Sequence, residues 1–439
     1  MIQQTSKANP TSIGPLKTDY GAMAMVTTLF FMWGFLTCLN DILVPHLKTI
    51  FDLGYASVML IQFAFFSSYF VFAVPAGKLV EWIGYKKTMV TGLLVMGAGA
   101  LGFIPAAIAP SYPLFLGTLI ILAAGITALQ VSANPYVSVL GPPRTASSRL
   151  NLTQAFNSLG TTIAPLIGGF LILADAPKDQ AELRRMPAAV LASYRQQQAS
   201  SVRMPYLLIG LALIALATVI AFYKLPKITT EPDPVDSDDP NTAKAISLWR
   251  YKHLIFGVIG IFVYVGAEVS IGSFLVNYLH QKDIGDMSEK TAANYVSLYW
   301  GAAMVGRFIG SAILQKLRPG AVLGFAACAS FLLVLTSMAT TGHVAMWSIL
   351  AVGLFNSIMF PSIFTLGIAG LGPATGRGSG LLIAAIVGGA IIPVAEGLMA
   401  DRIGIHLAFM LPALCYLYIV FYGFRGSREV GTAAQAAVA

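Results

Sequence analysis

The chain is built mostly from apolar stretches, each about as long as a bilayer is thick. Twelve can be placed, at roughly 22–47, 56–80, 87–109, 113–140, 150–174, 204–224, 252–280, 292–316, 320–341, 344–370, 378–400 and 405–424. About 20 predominantly apolar residues cross a membrane as a helix. These runs are too long for barrel strands and lack two-residue alternation, so helices are predicted throughout. Charged residues make up 10 % of the chain, against about 25 % in soluble domains. Mean hydropathy is +0.75. The net charge of +8 sits at the ends of the spans, and no polar stretch is long enough for a basic domain, which excludes nucleic acid as a partner.

One phrase occurs twice. Leu140-Gly141-Pro142, then Ser148 and Leu150, returns 231 residues later as Leu371-Gly372-Pro373, then Ser379 and Leu381. Each copy follows an apolar stretch with Pro near its end (Pro135, Pro361) and precedes one that carries Pro165 or Pro393. Duplicated halves around a central site are the usual construction of a transporter. The expected fold is an all-α membrane protein with twelve transmembrane helices in two six-helix pseudo-repeat bundles. A run holding Glu231, Pro232, Asp233, Pro234, Asp236, Asp238, Asp239 and Pro240 reads as a solvated spacer. The expected division is a tail at 1–21, a bundle at 22–224, a linker at 225–249, a bundle at 250–425 and a tail at 426–439. The polar first 21 residues hold no cleavable signal sequence.

With both termini cytoplasmic, 17 Lys and Arg residues fall inside and nine outside, five of those nine in the outer loop at 175–203. An inside excess of Lys and Arg sets orientation, so this topology is expected. The same loop is expected to form a short surface helix. Cys38, Cys328 and Cys415 lie within spans at spacings that suit neither zinc nor disulfides, and no metal site or cofactor is expected.

Gly77-Lys78-Leu79-Val80-Glu81-Trp82-Ile83-Gly84-Tyr85-Lys86-Lys87 follows the second span. Gly77 allows close packing, while Glu81, Gly84 and Lys86 suit a turn that pairs with neighbouring helix ends in one conformation. Gly306-Arg307-Phe308-Ile309-Gly310 is the degenerate counterpart in the second half. Gly77, Glu81, Gly84, Lys86 and Arg307 are therefore candidates for a conformational gate.

Carboxylates inside spans are costly and usually line polar pathways. Asp41, after Asn40 in the first span, and Glu268 in the seventh are candidates for cation coupling. Glu396, near Asp401 and Arg402, reads instead as an interfacial charge. Gln130 and Asn134 share a helical face, as do Gln154 and Asn157. Primary amides both donate and accept, which suits the hydroxyls of a sugar. Asn40, Asn277, Tyr299, Trp300 and Asn356 complete the candidate substrate-binding set, the aromatic rings offering flat faces to a pyranose.

The strings Phe31 to Asp41, Gly77 to Lys87, Leu129 to Tyr136, Ser148 to Gln154 and Asn356 to Pro361 closely resemble the bacterial glucose/galactose transporter family of the major facilitator superfamily. That family is related to the fucose–proton symporters. The resemblance runs from about residue 20 to 425. It implies alternating access and cation-coupled hexose uptake across the inner membrane by a twelve-helix unit that works as a monomer. Asp41 resembles the first-helix acid of the fucose symporters, and Gln154 and Asn157 resemble their fifth-helix sugar ligands. Those symporters carry a fourth-helix acid where this chain has Gln130. The coupling ion is thus open between proton and sodium, the latter near Asp41 and amide oxygens. Glucose or galactose leads as substrate, with fucose, fructose and N-acetylglucosamine as alternatives. A membrane-embedded enzyme or a sugar sensor is a weaker reading, since the five His are scattered and the linker and tail are short.

Overall fold

In the computed structural model every regular element is helical among the described residues, which are 17–51, 55–108, 111–171, 185–201, 203–226 and 247–428. The side chains of 39–60 and 165–171 lie outside that description, as do most of the two tails and of the linker. The helices are α1 (Tyr20–Phe51), α2 (Tyr55–Ile108), α3 (Tyr112–Val139), α4 (Ala146–Leu171), α5 (Ala188–Ser201) and α6 (Arg203–Phe222). There follow α7 (Lys252–His280), α8 (Glu289–Ile313), α9 (Pro319–Ala339), α10 (Gly342–Asn356) and α11 (Met359–Ile368). The last are α12 (Thr375–Ala384), α13 (Gly388–Ile403), α14 (Ile405–Ala408) and α15 (Met410–Phe421). Ten stretches of described residues are long and apolar enough to cross a membrane, and one of them, Phe63–Ile108, is 46 residues long.

Local chemistry accounts for the ends and bends. Asp19 accepts the Ala22 amide at 3.0 Å and starts α1. Ser288 likewise accepts the Thr291 amide and caps α8. The second and third predicted spans are two helices within α2 that meet at Gly84, whose φ of 81° and ψ of 166° lie outside the helical region and turn the chain. That turn joins two membrane crossings. The expected span at 344–370 is two helices, interrupted after Asn356, and the one at 378–400 is interrupted by a 3₁₀ turn at Ala385–Val387. The outer-loop helix is α5, tied down where Gln196 Nε2 donates to the Ile108 carbonyl at 3.3 Å.

Packing follows the halves of the sequence. The helix α2 packs on α3 and α6, and α1 on α4; in the second half α9 packs on α10 and α15, and α7 on α13 and α15. Between halves, the main crossings are α2 on α12 and α4 on α8, with α3 on α12 and α4 on α11 beside them. Each copy of the repeated phrase forms a short 3₁₀ turn (Pro143–Thr145 and Gly372–Ala374) that leads into a crossing helix. Phe70, Trp82, Leu208, Phe222 and Trp249 are among the large apolar side chains left outward-facing, as a lipid-facing surface requires.

Candidate functional site

Two sets of buried polar side chains stand out, one in each half. In the first, α3 carries Gln130, 3 % exposed, and Asn134, fully buried. Gln130 Nε2 donates to the Tyr69 hydroxyl at 3.0 Å. Gln130 Oε1 and both amide atoms of Asn134 are buried without a hydrogen-bond partner. On α4, Gln154 is also buried. Asn157, one turn on, donates to the Phe30 carbonyl at 2.8 Å, so it ties α4 to α1. Asn40 and Asp41 fall on the backbone of α1, but their side chains lie outside the described residues.

In the second half, Asn356 ends α10 and is fully buried. Its Nδ2 donates to the Tyr299 hydroxyl at 2.7 Å, and its carbonyl accepts from the Tyr264 hydroxyl at 3.1 Å. Asn356 Oδ1 and the Tyr416 hydroxyl are both buried, and Asn356 is the polar neighbour of Tyr416. Glu268 lies one turn beyond Tyr264 on α7, with Tyr264 and the Arg307 guanidinium of α8 as its polar neighbours. Trp300 stands edge-on to Tyr299 with ring centroids 5.2 Å apart, but it is 43 % exposed and packs over Gly272. Asn277 is exposed near the end of α7, apart from this cluster. Buried polar groups are normally paired, so the orphaned amide and hydroxyl atoms of the two sets are candidates to hold a polar ligand.

The sets are joined by Arg307. Its Nη1 donates to the Ser158 hydroxyl, across the halves and one turn from Gln154. Its own carbonyl accepts from Asn151 Nδ2 at 2.7 Å. A continuous polar path therefore runs from Asn356 and Tyr299 past Glu268 and Arg307 to Ser158.

Beside the site, one end of the molecule is sealed. Gly77 and Gly376 bring α2 and α12 into backbone contact; a Cβ on Gly77 would lie 2.8 Å from the Gly376 carbonyl. A Cβ on Gly380 would lie 2.8 Å from the Ala73 carbonyl. Arg377 Nε donates to Glu81 Oε1 at 2.8 Å. Lys86, by contrast, stays within its own half and caps α6 by donating to the Ala221 carbonyl at 2.8 Å.

The repeated phrase has a role that its spacing alone did not show. Ser148 donates to the Ser311 carbonyl at 2.7 Å, and Ser379 donates to the Val131 carbonyl at 3.0 Å. The same serine in each copy thus reaches across to the other half. Ser147 and Thr365 share a further cross-half hydrogen bond at 2.6 Å. Arg149, also in the first copy, holds the end of α3 by donating to the carbonyls of Val137, Ser138 and Pro142. One expectation is corrected. Glu396 is no interfacial charge: it is fully buried, because α13 turns it inward against α7 rather than toward Asp401 and Arg402 at the exposed helix end.

These features define a polytopic helical membrane protein whose two halves are joined by polar and close backbone contacts. The chain belongs to the Major Facilitator Superfamily, whose family model matches residues 24–386. It is 54 % identical over 412 residues to the glucose/galactose transporter of Brucella abortus (strain 9-941), covering 94 % of this chain and 95 % of that protein. It is 35 % identical over 425 residues to the L-fucose-proton symporter of Escherichia coli K12, covering 96 % and 97 %. A solved structure of the superfamily transporter FucP in the outward conformation matches with a TM-score of 0.85 at 35 % identity, over 93 % of this chain and 99 % of that one. The family is one of transporters, not enzymes.

Proposed function

We propose that this protein is a proton-coupled symporter that takes up a neutral hexose, glucose or galactose, by alternating access. The observation that carries the proposal is the pairing of two buried amide and hydroxyl sets, Gln130, Asn134 and Gln154 on one side and Asn356, Tyr299 and Tyr416 on the other. Such groups match a polyol that both donates and accepts, and the single cation among them, Arg307, is engaged with Ser158. The naming of relatives as glucose/galactose transporters and as a proton symporter supports the substrate and favours the proton over sodium. The bundles at 22–224 and 250–425 are the two moving bodies. Lys78, Lys86 and Lys87 at the sealed end support a cytoplasmic position for it at the inner membrane, on the same side as both termini.

Asp41 and Glu268 carry the coupling. A ligand shifts a two-state equilibrium only through its differential affinity for the two states, so proton and sugar must together favour closure around the site. Tyr264 and Arg307 are placed to answer a change of charge on Glu268. Gly77, Glu81, Gly84 and Arg377 form the gate.

The test is uptake of labelled glucose into proteoliposomes, driven by a proton gradient and separately by a sodium gradient, with galactose, fucose, fructose and N-acetylglucosamine as competitors. Proton-driven accumulation displaced by galactose is expected. Accumulation on sodium alone would overturn the coupling ion, and displacement by fucose but not galactose would overturn the sugar. Asp41→Asn is expected to abolish concentrative uptake while leaving sugar exchange; full gradient-driven uptake in that variant would remove Asp41 from the mechanism.

A further inference from the structure

Glu396 has no part in the site just described, yet it is an acid fully buried in a membrane helix. Neither carboxyl oxygen has a hydrogen-bond partner. The groups facing it are few. The α7 helix contributes the buried Ser270 hydroxyl, the polar neighbour of the carboxyl. Glu268, two residues earlier on α7, is turned to Tyr264 and Arg307. The α15 helix contributes the Cys415 thiol. The α2 helix meets α13 lower down, through Phe66 on Gly389. His406 of α14 is engaged with the Met338 carbonyl at 2.7 Å. Asp401 and Arg402, on α13 itself, are exposed.

An ionised carboxylate in such surroundings would bear its full desolvation cost with no cation to offset it. A neutral carboxylic acid bears only the cost of an ordinary polar group, and Ser270 stands ready as its partner. These surroundings suit the neutral acid better than the carboxylate.

The position of Glu396 links that acid to the seal. The helix α12 belongs to the seal, through Gly376 and Gly380 against α2. After the 3₁₀ turn at Ala385–Val387, α13 belongs to its own half: Gly388 lies on the Phe262 carbonyl and Ile392 fills the space beside Gly266. Glu396 sits on α13 three residues beyond Pro393. The 3₁₀ turn and Pro393 connect α12 to α13, so a shift of α12 away from α2 has a path to the packing around Glu396.

We propose that Glu396 is a second proton-binding site, neutral while the α2–α12 seal is closed and ionised when it opens. On opening, the carboxyl O–H bond breaks and its proton passes to water, leaving a hydrated carboxylate; on closing, the carboxylate takes a proton back from water. The proposal rests on the symporter reading only for its use in transport, and both arms of its test are run without sugar.

The first arm is the infrared spectrum of the purified full chain at neutral pH. The wild type should show a carboxylic-acid C=O band that Glu396→Gln lacks; identical spectra would overturn the proposal. The second arm follows the distance between spin labels at Lys87 and Arg318, one in each half beside the seal. If opening releases the Glu396 proton, raising the pH should favour the open form, by up to about tenfold per pH unit for one proton. Glu396→Gln should remove one proton's worth of that slope, and so should Glu396→Met, which has similar volume and no ionisable group. A wild-type slope in either folded variant would overturn the proposal and leave Glu396 as a packing residue.

Discussion

Placing a side chain at Gly77 should open the sealed end. A Cβ there would lie 2.8 Å from the Gly376 carbonyl and 3.4 Å from the Arg377 Cα. The obstacle is backbone, which cannot rotate away as a side-chain tip can. Overpacking of this kind costs about 1–3 kcal/mol. In Gly77→Val the cost falls only on the closed conformation, since α2 and α12 separate when the seal opens. The closed-to-open ratio should then drop about 5- to 150-fold. The assay is pulsed electron–electron distance measurement between labels at Lys87 and Arg318, without sugar, compared with Gly117→Val, whose added atoms meet open space. The long-distance population should grow in Gly77→Val and not in the control. An unchanged distribution in a folded Gly77→Val protein, or an equal shift in the control, would refute the assignment of this contact as the seal.

Other consequences can be checked with the same tools. Glu81→Gln removes an ion pair whose side chains are 33 % and 26 % exposed; water already screens it, so the loss is about 0.2–1 kcal/mol. A small opening shift that Glu81→Arg with Arg377→Glu reverses is expected, and no reversal would mean the pair is incidental. Ser148→Ala and Ser379→Ala should each weaken closure by about 1 kcal/mol, and their effects should add because they lie at different crossings; strong coupling between them in the double variant would contradict that independence. Gly34→Val would drive a methyl-bearing carbon onto the Asn157 carbonyl, so it should lower the unfolding temperature far more than Asn157→Ala, as read by thermal unfolding in detergent.

The fold was largely legible because spans announce themselves by length and apolarity, and because a duplicated phrase reveals two halves. Breaks inside spans were less legible. The interruption after Asn356 falls at the polar pair Asn356-Ser357, four residues before Pro361, which cannot donate to the Ser357 carbonyl, whereas the 3₁₀ turn at Ala385–Val387 falls in an apolar run with no such signal. The amides Gln130, Asn134 and Asn356 stood out as polar residues in apolar helices, and all three are buried. Tyr264 and Tyr416 did not, since tyrosine in a span reads equally as packing or an interfacial anchor. Glu396 misled because nearby Asp401 and Arg402 suggested a helix end in water; its burial depends on how α13 is rotated against α7, which no spacing records. Ser148 and Ser379 were visible as a repeat, but their acceptors are backbone carbonyls and leave no trace in the sequence.

At the centre of the seal α2 and α12 meet backbone to backbone around Ala73, Gly77, Gly376 and Gly380. Parting these four residues uncovers little hydrocarbon. Heat-capacity changes scale with the apolar area exposed, so the equilibrium between closed and open forms should have a nearly constant enthalpy over the working temperature range. A gate built in this way keeps its balance in cold and warm cells alike, whereas one closed by interlocking leucines and phenylalanines would tighten or loosen with every change of season.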